Sequence, residues 1–332
     1  MENRLLQKLN PYRRRGKKFL YRALFFSAAV SALFSCGPRE GGNAGSKDAA
    51  SVPAESLPAE AILTDVSGKP YEGKLPAGRI ISLVPAVTEI LFAVGAGDRV
   101  AAVTEYCNYP PEALEKPKAG GFSGASVSIE TVTALKPDLV LLSGDMHARI
   151  RGMLEELSIP CFAVEPRNFE ETYAAIETIG RLSGCVEGAE KVIEEMKSKI
   201  ALAAEKIPDG KKPKVYWELS ADPMMSTGGG TFINEAIEKA GGVNIFGDLA
   251  QSWPQISSEA VLDRQPDWIL TGEDPYMKTD ISVFASRPGW NSIPAVRNGC
   301  IATVNSDSLY RYGPRLADAV LDISSLLFGK DK

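Results

Sequence analysis

The stretch VSIETVTALKPDLVLLSG (residues 127–144) has a counterpart further along the chain, ISSEAVLDRQPDWILTG (residues 256–272). In register, Ser128, Glu130, Val132, Pro137 and Asp138 fall on Ser257, Glu259, Val261, Pro266 and Asp267. Each copy reads the same way: a Ser caps a short helix, a Glu sits in its first turn, Pro-Asp stops it, and an apolar strand follows. The separation is far longer than the roughly 20–50 residues of a solenoid repeat. It predicts two related lobes of one molecule, each offering the same exposed Glu from the same place. That is the plan of a two-lobed binding protein.

Outward from these copies, strands and helices alternate. RIISLV (79–84), RVAAVT (99–104), LVLL (139–142) and CFAV (161–164) are continuous apolar runs, as expected of parallel strands covered on both faces. Pro85 opens a helix whose Ile90, Leu91 and Val94 share one face. DVSGKPYE (65–72) reads as a small hairpin before the first strand. Residues 169–207 are almost continuously helical, with a break at Ser183-Gly184. In the second part Val192, Met196, Ile200 and Leu202 are expected to face the protein, with Glu194, Glu195 and residues 197–199 in water. A helix of about 20 residues spans roughly 30 Å, the width of a small domain, so it is read as a strut between the lobes. After Pro213 the alternation restarts with a strand at 214–219, a Gly-rich turn, a helix at 232–240, strands at 268–271 and 301–304, and a closing helix at 315–328. The expected organisation is an N-terminal α/β lobe (61–185), a connecting helix (186–212) and a C-terminal α/β lobe (213–329).

Composition narrows the function. The chain of 332 residues carries a formal net charge of −5, without the basic footprint of a nucleic-acid binder. It contains one histidine, His147, which excludes a metal site of several His ligands and leaves little for acid–base catalysis. A two-domain α/β enzyme is the competing class, and the single His counts against it; no catalytic residues are assigned. RRRGKK (13–18) followed by ALFFSAAVSALF (23–34) reads as a signal peptide, since a membrane span needs roughly 20 apolar residues. The run ends in Ser35-Cys36-Gly37, which resembles a lipobox with Cys36 as the lipidated mature N-terminus; an ordinary secretory cleavage near Ser35 is the alternative. Residues 37–60, rich in Gly, Ala, Ser and Pro, read as a flexible tether. The expectation is an exported protein, lipid-anchored to the cell membrane (residues 1–36 removed or processed as signal) and facing the periplasm or cell exterior. Cys107, Cys161, Cys185 and Cys300 show no short-spaced pairing, and no bridge is expected.

Five segments carry a family resemblance: RIISLVPAVTEILFAVGAGDRVAAVTEYCNYPPEA (79–113), ETVTALKPDLV (130–140), GGVNIF (241–246), SWPQISSEAVLDRQPD (252–267) and YRYGPRL (310–316). Together they resemble the periplasmic substrate-binding proteins of ABC importers for cobalamin, haem and ferric siderophores, most closely the cobalamin-binding members. The resemblance implies two Rossmann-like lobes joined by a single long helix, the class III clamp, which closes by small movements. It implies cobalamin or a related corrinoid as transported ligand, with haem or a ferric siderophore as the alternative. The implied partners are an ABC permease dimer and its ATPase, met by a monomer.

The resemblance also assigns residues. Glu130 and Glu259 correspond to carboxylates that dock on the permease; the plain alternative is that each only favours its helix N-terminus, worth roughly 0.3–1 kcal/mol. Tyr106 and Trp253 are implied as walls of the cleft from opposite lobes, with Phe122 and Met225 as further wall positions. Asp307 and Arg311 are implied as polar groups that orient the ligand. SGDMH (143–147) departs from the cobalamin pattern, and His147 in it leaves axial haem ligation open, a solvated loop His being the alternative. Gly228-Gly229-Gly230 lacks GxGxxG and GK[ST], and reads as a tight turn with close backbone approach near the ligand.

Overall fold

Four short strands, β1 (Ile80–Ser82), β2 (Val100–Val103), β3 (Leu139–Leu142) and β4 (Cys161–Ala163), pair in parallel in the order β2-β1-β3-β4. A second parallel sheet holds β5 (Lys214–Glu218), β8 (Val243–Asn244), β9 (Trp268–Glu273) and β10 (Ile301–Asn305) in the order β10-β9-β5-β8. Between β5 and β8 in sequence lies a small antiparallel hairpin, β6 (Ser220–Ala221) with β7 (Met224–Met225). Both four-stranded sheets therefore follow one plan, with the first strand of the lobe flanked by its second and third. The helices are α1 (Pro85–Ala93), α2 (Ile129–Ala134), α3 (Ala148–Glu156), α4 (Phe169–Ser183), α5 (Val186–Ala204), α6 (Phe232–Lys239), α7 (Ser258–Arg264), α8 (Val283–Ser286), α9 (Pro294–Arg297), α10 (Ser306–Tyr310) and α11 (Leu316–Phe328). This computed structural model describes residues 62–273 and 279–329, all within one compact unit of the chain. The expected signal peptide, Cys36 and the tether lie outside the described residues. No described helix is long and apolar enough to cross a membrane.

The two copies of the repeat build the same kind of corner. Ser128 caps α2 by accepting the Thr131 N–H at 3.1 Å, and Ser257 caps α7 by accepting the Ala260 N–H at 3.2 Å. Val132 and Val261 are both buried beneath their helices. Lys136 and Gln265, each immediately before the Pro, both take positive φ, 48° and 45°. The Asp138 carboxylate then accepts the backbone N–H groups of Gly78 and Arg79 at the start of β1, each at 2.8 Å. The Asp267 carboxylate accepts the Lys214 N–H at the start of β5, also at 2.8 Å. Pro-Asp thus ends a helix and pins the neighbouring strand in one move.

The strut forms for legible reasons. Asn168 accepts the Glu171 N–H at 2.8 Å while the Glu171 carboxylate accepts the Arg167 N–H at 2.8 Å, a reciprocal cap that starts α4. Gly184, at φ 70°, ends it in the left-handed region where glycine carries no Cβ penalty, and α5 follows after Cys185. α5 packs on α4 on one side and α11 on the other, and it ends at Ala204, short of the expected residue 212. Its buried stripe is Ala189, Val192, Met196 and Ala203. Leu202, expected to face the protein, is exposed instead, because it lies about 100° around the helix from Ala203.

A single apolar core crosses the junction between the sheets. It includes Ile80 and Leu141 of the first sheet, Ile90, Ile179 and Met196 of the intervening helices, Val320 of α11, and Trp217 and Leu270 of the second sheet. The outer faces have separate clusters, around Val140 and Leu154 in one lobe and Tyr216, Phe284 and Trp290 in the other. A junction filled by these buried side chains resists wide opening, because separating the lobes would forfeit their contacts. Cys107, Cys161 and Cys185 form no disulfide with one another.

Candidate ligand-binding cleft

In an open parallel sheet, ligands collect at the carboxyl ends of the strands. Here those ends converge from both lobes on one cleft. A cavity of about 930 Å³ is lined by Glu105, Tyr106 and Asn108 after β2, Glu218 to Ser220 at the end of β5, Thr271 and Gly272 on β9, and Ser306 and Asp307 after β10. A second cavity of about 470 Å³ adjoins it through Tyr106, Tyr310 and Arg311. This one is more apolar, with Val84, Pro85, Phe122, Met146 and Tyr312 in its lining beside Glu165.

Aromatic surface in the cleft is uncovered. Tyr106 is 57% exposed and Phe122 is 44% exposed, the two standing edge to face with ring centroids 5.9 Å apart. Tyr310 adds a third ring, its phenol pushed up to about 12 by burial. Large exposed rings in a concave, two-lobed site suit the burial of a flat ligand.

Of the expected ligand-facing residues, Tyr106, Phe122, Asp307 and Arg311 line these cavities, while Met225 and Trp253 do not. Met225 pairs with Ser220 across the β6–β7 hairpin, and Trp253 stands edge-on to Phe232 at 6.0 Å. The Gly-rich turn makes its close approach to the protein's own chain. A Cβ on Gly228 would lie 2.0 Å from the Gln251 carbonyl oxygen, and the Gly228 and Gly229 N–H groups donate to Ser252 and Leu249 at 2.9 Å.

Asp307 and Arg311 are engaged with the protein before any ligand arrives. Arg311 Nη1 donates to Glu89 at 2.8 Å and to the Asn108 side-chain carbonyl at 2.7 Å, and its Nη2 lies 2.8 Å from Asp307. Asn108 in turn donates to Asp307 at 2.9 Å. Arg315, at the start of α11, closes on the same Glu89 at 2.6 Å. A buried Arg–Glu–Arg cluster therefore ties the first helix of one lobe to the end of the other.

His147 is not a solvated loop residue. It is fully buried, with Nδ1 accepting the Ser143 N–H at 3.0 Å and Nε2 placed 3.1 Å from the Phe122 carbonyl, to which it donates. Both ring nitrogens are occupied, so no lone pair is free for iron. Burial pulls the imidazole below its ordinary value, although the Phe122 carbonyl and the Glu165 charge act the other way. Neutral His147 works as a staple that holds the Phe122 loop on the end of β3.

Glu130 and Glu259 are both exposed, at the second position of α2 and α7. The Glu259 carboxyl is held below its ordinary value by its own backbone N–H and the Ser257 hydroxyl, so it is charged at neutral pH. Sequence reasoning missed Glu89, Asn108, Glu105, Glu165, Tyr310 and Tyr312. A signal existed for Glu89, a carboxylate amid the buried run Val87 to Leu91, because a charge seldom enters such a face without a partner. Glu105 and Glu165 were marked only by standing directly after apolar strands.

The periplasmic binding protein family matches residues 80–308 of this sequence. The chain belongs to that family. A vitamin B12-binding protein of Vibrio parahaemolyticus is 30% identical over 250 residues, 75% of this chain and 88% of the relative. An uncharacterized ABC transporter substrate-binding lipoprotein of Bacillus subtilis is 32% identical over 274 residues, 80% of this chain and 85% of the relative. The crystal structure of the periplasmic vitamin B12 binding protein of Vibrio cholerae superposes with a TM-score of 0.63 at 31% identity, covering 76% of this chain and 97% of the other. The two-lobed α/β clamp is thus that of the class III periplasmic binding proteins, an exported group of substrate-binding proteins rather than enzymes.

Proposed function

We propose that this periplasmic binding protein is the capture subunit of an ABC importer, and that its cargo is cobalamin or a related corrinoid held between the lobes. The observation that supports the reading best is the cleft itself: adjoining cavities fed by strand ends of both lobes, with Tyr106 and Phe122 left exposed in a chain about 30% identical to vitamin B12-binding proteins. A corrin ring lies against the aromatic surface, and Asn108, Ser220, Thr271 and Ser306 meet its peripheral amides. Haem or a ferric siderophore is the alternative cargo. With His147 occupied, haem iron would turn to the Tyr106 phenol. Glu130 and Glu259, alike in local geometry, supply one acidic contact per lobe to a two-fold permease, and a lipid on Cys36 with the 37–60 tether keeps the clamp near it.

The cargo is tested by incubating the protein with cyanocobalamin and, separately, with haemin, then desalting and recording absorption spectra. One corrinoid retained per chain is expected; retention of haemin with no corrinoid would overturn the choice. Docking is tested with Glu130→Lys combined with Glu259→Lys. Cargo binding should persist while stimulation of the importer's ATPase is lost, and unchanged stimulation would remove the docking role.

A further inference from the structure

Resting on the reading of this cleft as the cargo site, we infer that it selects by charge, admitting neutral or cationic chelates and rejecting those that carry carboxylates. Arg311 is the only Lys or Arg among the described residues lining the two cavities. Its guanidinium is already bound by Glu89, Asn108 and Asp307. Recognition of a ligand carboxylate normally uses a free guanidinium fork or ammonium, and the described lining offers neither.

The lining is also unbalanced toward negative charge. Glu105, Glu165, Glu218 and Asp307 all face the cavities. Glu218 is neutralised by a two-pronged pairing with Arg287, and Asp307 by Arg311. Glu165 is held by neutral donors, the Gly144 N–H at 2.7 Å and the Ser143 hydroxyl at 3.1 Å. Glu105 is exposed. No ion pair involves either of these two among the described residues, so one carboxylate stands in each cavity without a countercharge. Primary amides at a corrinoid's edge can donate to both. The propionates of haem, or the carboxylates of an acidic siderophore, would meet like charge, which is how sites exclude wrong partners.

Cyanocobalamin and aquocobalamin have one shape and differ by one positive charge, so they isolate the effect. Titration calorimetry in mildly acidic buffer, where the axial water keeps its proton, should show aquocobalamin binding roughly fivefold to thirtyfold tighter, the range one unit charge gives across a partly solvated cleft. The advantage should shrink as salt is added. Glu105→Gln combined with Glu165→Gln should abolish the preference, read as the ratio of the two affinities within the variant, and a single cooperative urea transition shows that the variant is folded. Cobyrinic acid, whose edge bears carboxylates in place of amides, should bind more weakly than cobinamide, which keeps the amides and likewise lacks the nucleotide loop. Equal binding of the two cobalamins, or tighter binding of cobyrinic acid, would overturn the charge rule and leave the corrinoid reading intact. If no corrinoid binds, the corrinoid reading falls, and haemin is compared with its dimethyl ester: weaker binding of the diacid supports the charge rule and tighter binding overturns it.

Discussion

Replacing Glu89 by Ala should weaken the whole clamp. Glu89 is 3% exposed, and it accepts from Arg311 at 2.8 Å and from Arg315 at 2.6 Å and 2.8 Å. The Arg315 guanidinium is pulled down by burial, but the Glu89 hydrogen bond and charge outweigh that and hold it above its ordinary value. Deleting the carboxylate leaves two largely buried cations side by side. Removing one partner of a buried ion pair costs about 3–5 kcal/mol. Arg311 keeps Asp307, and both arginine side chains keep some contact with water, at 14% and 17% exposure, so the lower end, about 3 kcal/mol, is expected. With a urea slope of about 3 kcal/mol per molar for a chain of this size, the unfolding midpoint should fall by about 1 M. Urea melts followed by tryptophan fluorescence measure this directly. Lys69→Ala provides the contrast, because the Lys69–Glu155 pair is 54% and 39% exposed and should contribute less than about 1 kcal/mol. Combining Glu89→Ala with Arg315→Ala should cost less than the sum of the two, since the second change removes a cation the first left unpaired. A midpoint shift for Glu89→Ala no larger than that for Lys69→Ala would refute the reasoning.

Asp138→Ala should destabilise more than Asp267→Ala, because Asp138 holds two strand N–H groups and Asp267 one; about 1–2 kcal/mol is expected for the first, read as a fall of a few degrees in Tm. Asp65→Asn should flatten the acid limb of stability. Burial acts to raise the Asp65 carboxyl, but the Ser67 hydroxyl, the Lys69 and Ala163 N–H groups and Arg151 outweigh it and hold it below its ordinary value. Its contribution is therefore present above the ordinary carboxylate range and lost as pH falls through the lower folded value, so Tm measured against pH should lose part of its acid slope in the variant. Tyr106→Ala should weaken cargo binding at least tenfold and Trp253→Ala by less, since Tyr106 lines both cavities and Trp253 neither; titration giving the reverse order would place the cargo against the loop around residues 249–253.

What was readable in the chain is what local chemistry controls. Caps, proline stops, glycine breaks and apolar periodicity act over a few residues, so the strand and helix order, the break at Gly184 and the matched corners at Ser128 and Ser257 could all be read along the chain. The repeat further announced two lobes, because one pattern of caps and stops can only build one kind of corner. Tyr106 and Phe122 were found because family motifs preserve the order of loops, and loops at strand ends are where a parallel sheet meets a ligand.

The remainder belonged to tertiary structure because it joins residues far apart in sequence. Nothing near Glu89 shows that Arg311 and Arg315 will close on it from the opposite lobe, or that this pairing occupies the guanidinium expected to meet the ligand. His147 in SGDMH reads locally as a polar loop residue, yet the chain around Phe122 folds over it and its carbonyl takes Nε2, while Nδ1 accepts the nearby Ser143 N–H. The Gly-rich turn shows its need for closeness in sequence, but that its neighbour is the 249–252 backbone depended on how the second lobe packs. Propensity and punctuation are short-range, whereas burial, charge pairing and the shape of a cleft are set by whichever distant surfaces the fold brings together.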